Sequence, residues 1–141
     1  MKALTICQPY PRLIMIGEKH VENRTWSTNY RGPLAIHAGK SRRWLTGDDE
    51  AAAAAAGDPL VFGAVVAIAQ LEACQQASTI HAGLLDKRFP QLRDRAHCFG
   101  PVCWVLTNVR RLATPLPWRG SQGLFEIPDD VLGAINLEAP R

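Results

Sequence analysis

Long apolar runs, metal-spaced cysteines and a strong excess of one charge are all missing from this sequence. The longest apolar run, LVFGAVVAIA at 60–69, reaches about half of the roughly 20 residues that a helix needs to cross a bilayer, so no membrane association is expected. The four cysteines, Cys7, Cys74, Cys98 and Cys103, contain no CxxC pair, and no Cys/His cluster has zinc-ligand spacing. Reduced thiols, no metal and no cofactor are therefore expected. The opening MKALTICQPYPRL lacks an apolar signal core, which favours a cytoplasmic location. A net charge of +3 is far below the basic excess of a protein that grips a long duplex nonspecifically. It is compatible with a phosphate-bearing partner without selecting one. Also missing are a linker, a full internal repeat and any alternation of strands with helices. The 141 residues are thus read as one domain over 1–141.

What is present is a set of short β-prone segments around few helices. Ala3 to Ile6 is β-prone, and Gln8-Pro9-Tyr10-Pro11 breaks it with prolines suited to a first helical turn. Tyr10, Leu13, Ile14 and Gly17 then fall on one helical stripe, with Gly17 where a left-handed cap is wanted. His20 to Trp26 favours a strand, and the NYRGP turn leads to another at LAIHA, 34–38. Ser41 is read as starting a helix through Trp44, and Thr46 with Asp49 as capping the next, DDEAAAAAA. LVFGAVVAIAQLEAC is apolar on both alternating faces, as a central strand or barrel wall requires. CWVLTNVRRL at 103–112 and GLFEI at 123–127 complete the strands, and Pro128-Asp129-Asp130 opens a terminal helix. The expected fold is α+β, a small mixed β-barrel of five or six strands decorated by two to four helices. Trp44 and Trp104 are read as core.

The stretch GEKHVENRTW, residues 17–26, packs Lys19, Glu22, Asn23 and Arg24 directly behind an apolar helix. On a strand, Glu22 and Arg24 share one face and Trp26 continues it, so a charged pair lines up beside an aromatic wall. Lys19 precedes the strand and escapes its alternation. The flanking turns bring Gln8, Tyr10 and further donors close in sequence. Tyr30-Arg31-Gly32 and Trp118-Arg119-Gly120 echo one another as an aromatic, a guanidinium and a glycine before a strand. Gly120, Gln122 and Gly123 are suited to close approach of a ligand to backbone, and His37 is placed at a strand end near the proposed mouth.

These residues resemble the GxKxxExR signature of ASCH domains, with Gly17, Lys19, Glu22 and Arg24 in the defining positions. CQPYPRLIMIG, YRGPLAIHAGK, FGPVCWVL and RGSQGLF are similar to that family in the same order along the chain. The resemblance implies a PUA-like barrel with a cleft built around Lys19, Glu22 and Arg24. It implies a partner that is RNA or a modified nucleoside, and three functions for the cleft: binding, hydrolysis of N4-acetylcytidine-type nucleosides, or ribonuclease activity. In the amidohydrolase branch the motif lysine works with a threonine at the position of Glu22 and with a glutamate on the long central strand, for which Glu72 is the match here. Glu22 departs from that pattern, because a carboxylate offers no hydroxyl nucleophile. The candidate catalytic residues are accordingly Lys19, Glu22 and Glu72. Candidate binding residues are Arg24 and Arg119 for phosphate, Tyr10 and Trp26 for stacking, and Asn23 for a base edge, with Gln8, His37, Gly120 and Gln122 nearby.

Overall fold

A computed structural model describes residues 1–132 and Leu137. Six strands, β1 (Lys2–Ile6), β2 (Val21–Arg24), β3 (Gly32–Ala38), β4 (Ala64–Gln76), β5 (Val102–Pro117) and β6 (Leu124–Glu126), form one sheet in the order β2-β5-β4-β3-β1-β6. β1 and β3 run parallel, and the other pairings are antiparallel. Among the described residues four helices decorate the sheet: α1 (Tyr10–Met15), α2 (Gly47–Ala55), α3 (Ala77–His81) and α4 (Asp129–Leu132), with a tight turn at Pro90–Arg93. The architecture is α+β, with the sheet curled into a half-barrel. Among the described residues no helix is long and apolar enough to cross a membrane.

The curl has a local cause. The β4–β5 ladder slips register at Val65/Ala67, Ile68/Gln70 and Leu71/Ala73, and β3–β4 slips once at Ile36/His37. Each bulge bends its strand and increases the twist, so the two longest strands wrap rather than lie flat. Wrapping buries both faces. Along β1, Leu4 and Ile6 enter the main core with Ile14, Leu34, Ile36, Leu71 and Trp104, whereas Ala3 joins Ala35, Val65 and Leu112 on the other side. Cys103 and Val105 of β5 pack with Val21, Ile80, Phe89 and Leu92 beneath the 77–98 segment. Two-sided burial is the reason that β4 reads as a continuous apolar run.

Several element boundaries differ from the sequence reading. Residues 60–63 stay irregular ahead of β4, and Gly63 takes φ 68°, a conformation that ends extended backbone. Ser41 to Trp44 forms no helix, because helix formation begins only after Thr46, which caps α2 in a reciprocal box with Asp49. Trp104 is fully buried, but Trp44 is 54% exposed. The expectation that Trp44 belongs to the core is therefore overturned: its loop lies outside the strands that build that core.

Candidate functional site

Gly17 turns the chain out of α1 with φ 81°. The N–H groups of Glu18 and Lys19 then both donate to the Leu13 carbonyl, at 3.0 and 3.1 Å. This closure draws Lys19 inward until 3% of its surface is exposed. β2 follows, and its alternation sets Glu22 and Arg24 on one face. Glu22 Oε1 accepts from Lys19 Nζ at 3.4 Å, and Oε2 accepts from Arg24 Nη2 at 2.9 Å. The same Nη2 donates to the Thr5 carbonyl at 2.8 Å. Three strands separate β2 from β1 in the sheet, so this bond spans the inside of the curl and depends on it.

Lys19, Glu22 and Arg24 line a cleft of about 540 Å³ together with Thr5, Tyr10, Trp44, His97 and Phe99. Lys19 Nζ sits 4.8 Å from the centre of the Tyr10 ring, whose face attracts a cation. Burial strips water from the ammonium and lowers its pKa from the usual 10.5, an effect that attraction to Glu22 only partly offsets. Arg24 Nε is buried with no hydrogen-bond partner among the described residues. The floor of the cleft thus holds a carboxylate fixed from both sides, a lysine biased toward proton loss and a spare guanidinium donor.

Asn23 has a different task from the base-edge contact expected of it. Its Oδ1 accepts from the N–H groups of Phe99 and Gly100 at 3.0 and 2.9 Å, and its Nδ2 donates to the His97 carbonyl at 2.9 Å. With both ends of its amide engaged, Asn23 pins the 97–100 loop as a wall of the cleft. Behind that wall the buried Cys98 and Cys103 remain free thiols. Their mutual hydrogen bond lowers the Cys98 pKa to about 7 and pushes Cys103 up.

A second cavity, about 660 Å³, adjoins the first through Thr5 and is lined by His37, Lys40, Arg119 and Gly120. His37 Nε2 donates to the Trp118 carbonyl at 2.7 Å, so in the neutral ring Nδ1 accepts the Thr5 hydroxyl at 3.1 Å. A Cβ on Gly120 would lie 2.8 Å from both His37 Cε1 and Thr5 Oγ1, which is why this turn needs glycine. Tyr30-Arg31-Gly32, the supposed counterpart of Trp118-Arg119-Gly120, sits at the other end of β3 from His37.

Four sequence candidates lie elsewhere. Gln8 is fully buried and bonds the Val61 carbonyl at 2.8 Å, lining a separate cavity with Arg12 and Asp58. Glu72 accepts from Thr107 Oγ1 at 2.9 Å and does not line the Lys19 cleft. Trp26 lies beyond the end of β2 with its ring edge-on to Trp104, 4.8 Å between centres, instead of forming an aromatic wall. Gln122 is exposed and lines neither of the two adjoining cavities. Conversely, Thr5, Arg43, Trp44, His97 and Phe99 line the cleft without having been singled out for it. Among the described residues no group of three His, Cys, Asp or Glu side chains is arranged to hold a metal ion.

A family model, the ASCH domain, matches residues 4–116. The chain belongs to the ASCH domain family. ASCH domains are PUA-like and associated with RNA binding. The solved structure of ASCH from Zymomonas mobilis is similar over 96% of this chain and 95% of that one, with a TM-score of 0.56 at 14% identity. A single-substitution variant of the Zymomonas protein gives a TM-score of 0.57 at 14% identity, over 96% of each chain. At such identity the likeness concerns the fold. No curated protein matches the sequence. In this ASCH domain Gly17, Lys19, Glu22 and Arg24 form a helix end, a buried lysine and a strand bearing two charges.

Proposed function

We propose that this ASCH domain recognises RNA or a modified nucleoside in the cleft floored by Lys19, Glu22 and Arg24. The observation that carries the reading is the buried triad itself. Desolvating a lysine, a glutamate and part of an arginine is costly, and removing one partner of such a set is more costly still. Placed beside a cleft of about 540 Å³, the triad is a preorganised polar floor for one small polar group. Lys19 Nζ and Arg24 Nε have donors to offer a phosphate or carbonyl oxygen, and the Tyr10 ring supplies a stacking face.

The lowered pKa of Lys19 favours a second reading, hydrolysis of an N4-acetylcytidine-type amide to cytidine and acetate. In that reaction Glu22 activates water, Lys19 protonates the leaving amine and Arg24 faces the oxyanion. Glu72 is given no part in it, since its carboxylate accepts from Thr107 and does not line the cleft.

The test is to titrate the purified protein with N4-acetylcytidine, cytidine 5′-monophosphate and a short single-stranded RNA, following binding by calorimetry and products by mass spectrometry. Binding by the wild type and its loss in Lys19→Ala is the expected result. Release of cytidine adds the hydrolase reading, and cleavage of unmodified RNA replaces it with a ribonuclease. Absence of all binding overturns the proposal.

A further inference from the structure

Two large rings stand at the mouth of the cleft, unused by the triad. Trp44 is 54% exposed and Phe99 is 72% exposed, and both line the cleft that contains Lys19 and Arg24. They arrive on separate loops, Trp44 between β3 and α2 and Phe99 just ahead of β5. Each has a local contact despite its exposure. The Arg43 guanidinium lies 4.8 Å from the centre of the Trp44 ring. The Phe99 backbone is fixed by the Asn23 amide. An exposed ring on a pinned loop, as at Phe99, loses little further entropy when it binds, which suits it to recognition.

We infer that Trp44 and Phe99 stack the bases of a single-stranded nucleic acid whose neighbouring nucleotide occupies the inner cleft, so that the ligand is an oligonucleotide and not a free nucleoside. The inference rests on the nucleobase reading given above and narrows it. Every base offers a π-face, and protein rings compete for it only when the base is not already stacked within a duplex. Charge agrees with this occupant: Arg43 lines the mouth and Arg24 the floor, so the path between a mouth base and an inner nucleotide is flanked by guanidinium groups suited to a phosphodiester. An apolar peptide would offer no acceptor to the Arg24 Nε, which has no hydrogen-bond partner among the described residues.

The experiment compares the wild type with Trp44→Ala, Phe99→Ala, the double variant and Phe99→Leu. A fluorescein-labelled short single-stranded RNA is followed by anisotropy, and cytidine 5′-monophosphate by calorimetry. Each alanine variant is expected to weaken RNA binding about tenfold while changing binding of the mononucleotide by less than about twofold. Phe99→Leu, which keeps apolar bulk without a ring, should lose nearly as much as Phe99→Ala, and a duplex of the same sequence should bind poorly to all. RNA affinity unchanged in the double variant overturns this inference and leaves the cleft reading intact. Equal losses for RNA and mononucleotide overturn it too, since the rings would then act through the inner cleft. A wild type that binds neither probe overturns this inference, and N4-acetylcytidine then decides the cleft reading.

Discussion

Asp58 and Glu22 are each held by two cations, and the cations differ in kind. Asp58 receives a two-pronged contact from Arg111, at 2.8 and 2.8 Å, with Arg12 Nε at 3.4 Å. Glu22 receives Lys19 at 3.4 Å and Arg24 at 2.9 Å. Arginine does not lose its proton in proteins, so the charges around Asp58 are fixed. Its carboxyl is held below the usual 3.8, first by the Arg111 hydrogen bond. In the other triad one cation is a lysine whose pKa burial has lowered, and there the charge is adjustable. Asp58 joins the end of α2 to α1 and β5 beside a cavity of about 230 Å³, whereas Glu22 faces one of about 540 Å³. One arrangement clasps elements together, and the other keeps a titratable group beside room for a ligand.

The largest effect should come from Glu22→Gln, which keeps the shape but leaves two cations facing a neutral amide. Breaking a buried ionic set by removing one partner costs about 3–5 kcal/mol, and urea denaturation should show a loss in that range together with loss of RNA binding. Asp58→Asn is the matched substitution in the clasp. The Asp58 side chain is 29% exposed against 8% for Glu22, so solvent takes up part of the loss, and about 1–2 kcal/mol is expected. RNA binding should be unchanged. Equal losses at the two sites would remove the distinction drawn between them.

The two triads should also respond to pH at opposite ends of the scale. Asp58 has a depressed folded pKa, so its contribution is full above the unfolded value near 3.8 and is lost as pH falls through the folded one. The stability gap between wild type and Asp58→Asn should therefore stay level near neutrality and close in acid. Lys19 runs the other way. Below its unfolded value of 10.5 the unfolded chain binds the proton more strongly, so the cost of burying the ammonium is relieved as pH rises from the folded pKa toward 10.5. Wild type should gain on Lys19→Met in alkaline denaturation series, and a flat difference would mean that Lys19 is not desolvated.

The inner floor of the cleft was legible in the sequence, and its mouth was not. Lys19, Glu22 and Arg24 follow from local rules: a glycine ends the helix, a lysine precedes the strand and alternation pairs the next two charges. Tyr10 follows from the same helix. The place of Glu72 is not legible in this way, because it depends on the β4–β5 ladder, where the register slip at Leu71/Ala73 and the Thr107 hydroxyl decide its partner. Nor is that of Gln8, whose partner, the Val61 carbonyl, lies more than fifty residues along the chain. The curl of the sheet into a half-barrel reflects bulges that periodicity does not reveal. Trp44 and Phe99 stand on irregular loops, where no period exists to read and where an aromatic residue defaults to a core assignment. Asn23 looked like a ligand contact until the loop it holds, more than seventy residues away, was in view.

The smallest effect, and the sharpest check on the clasp, is Arg12→Lys. Arg111 already donates to both Asp58 oxygens, so the carboxylate is satisfied without Arg12, whose single contact at 3.4 Å is long. A lysine at position 12 preserves the charge and loses only that weak contact, and less than about 0.5–1 kcal/mol should be lost in urea denaturation. The acid limb of the stability curve should keep its shape, because Arg111 is the largest cause of the Asp58 shift. If Arg12→Lys instead costs as much as Asp58→Asn, all three charges act as one unit. The clasp would then be as interdependent as the Lys19 triad, and the contrast between the regions would rest on the lysine alone.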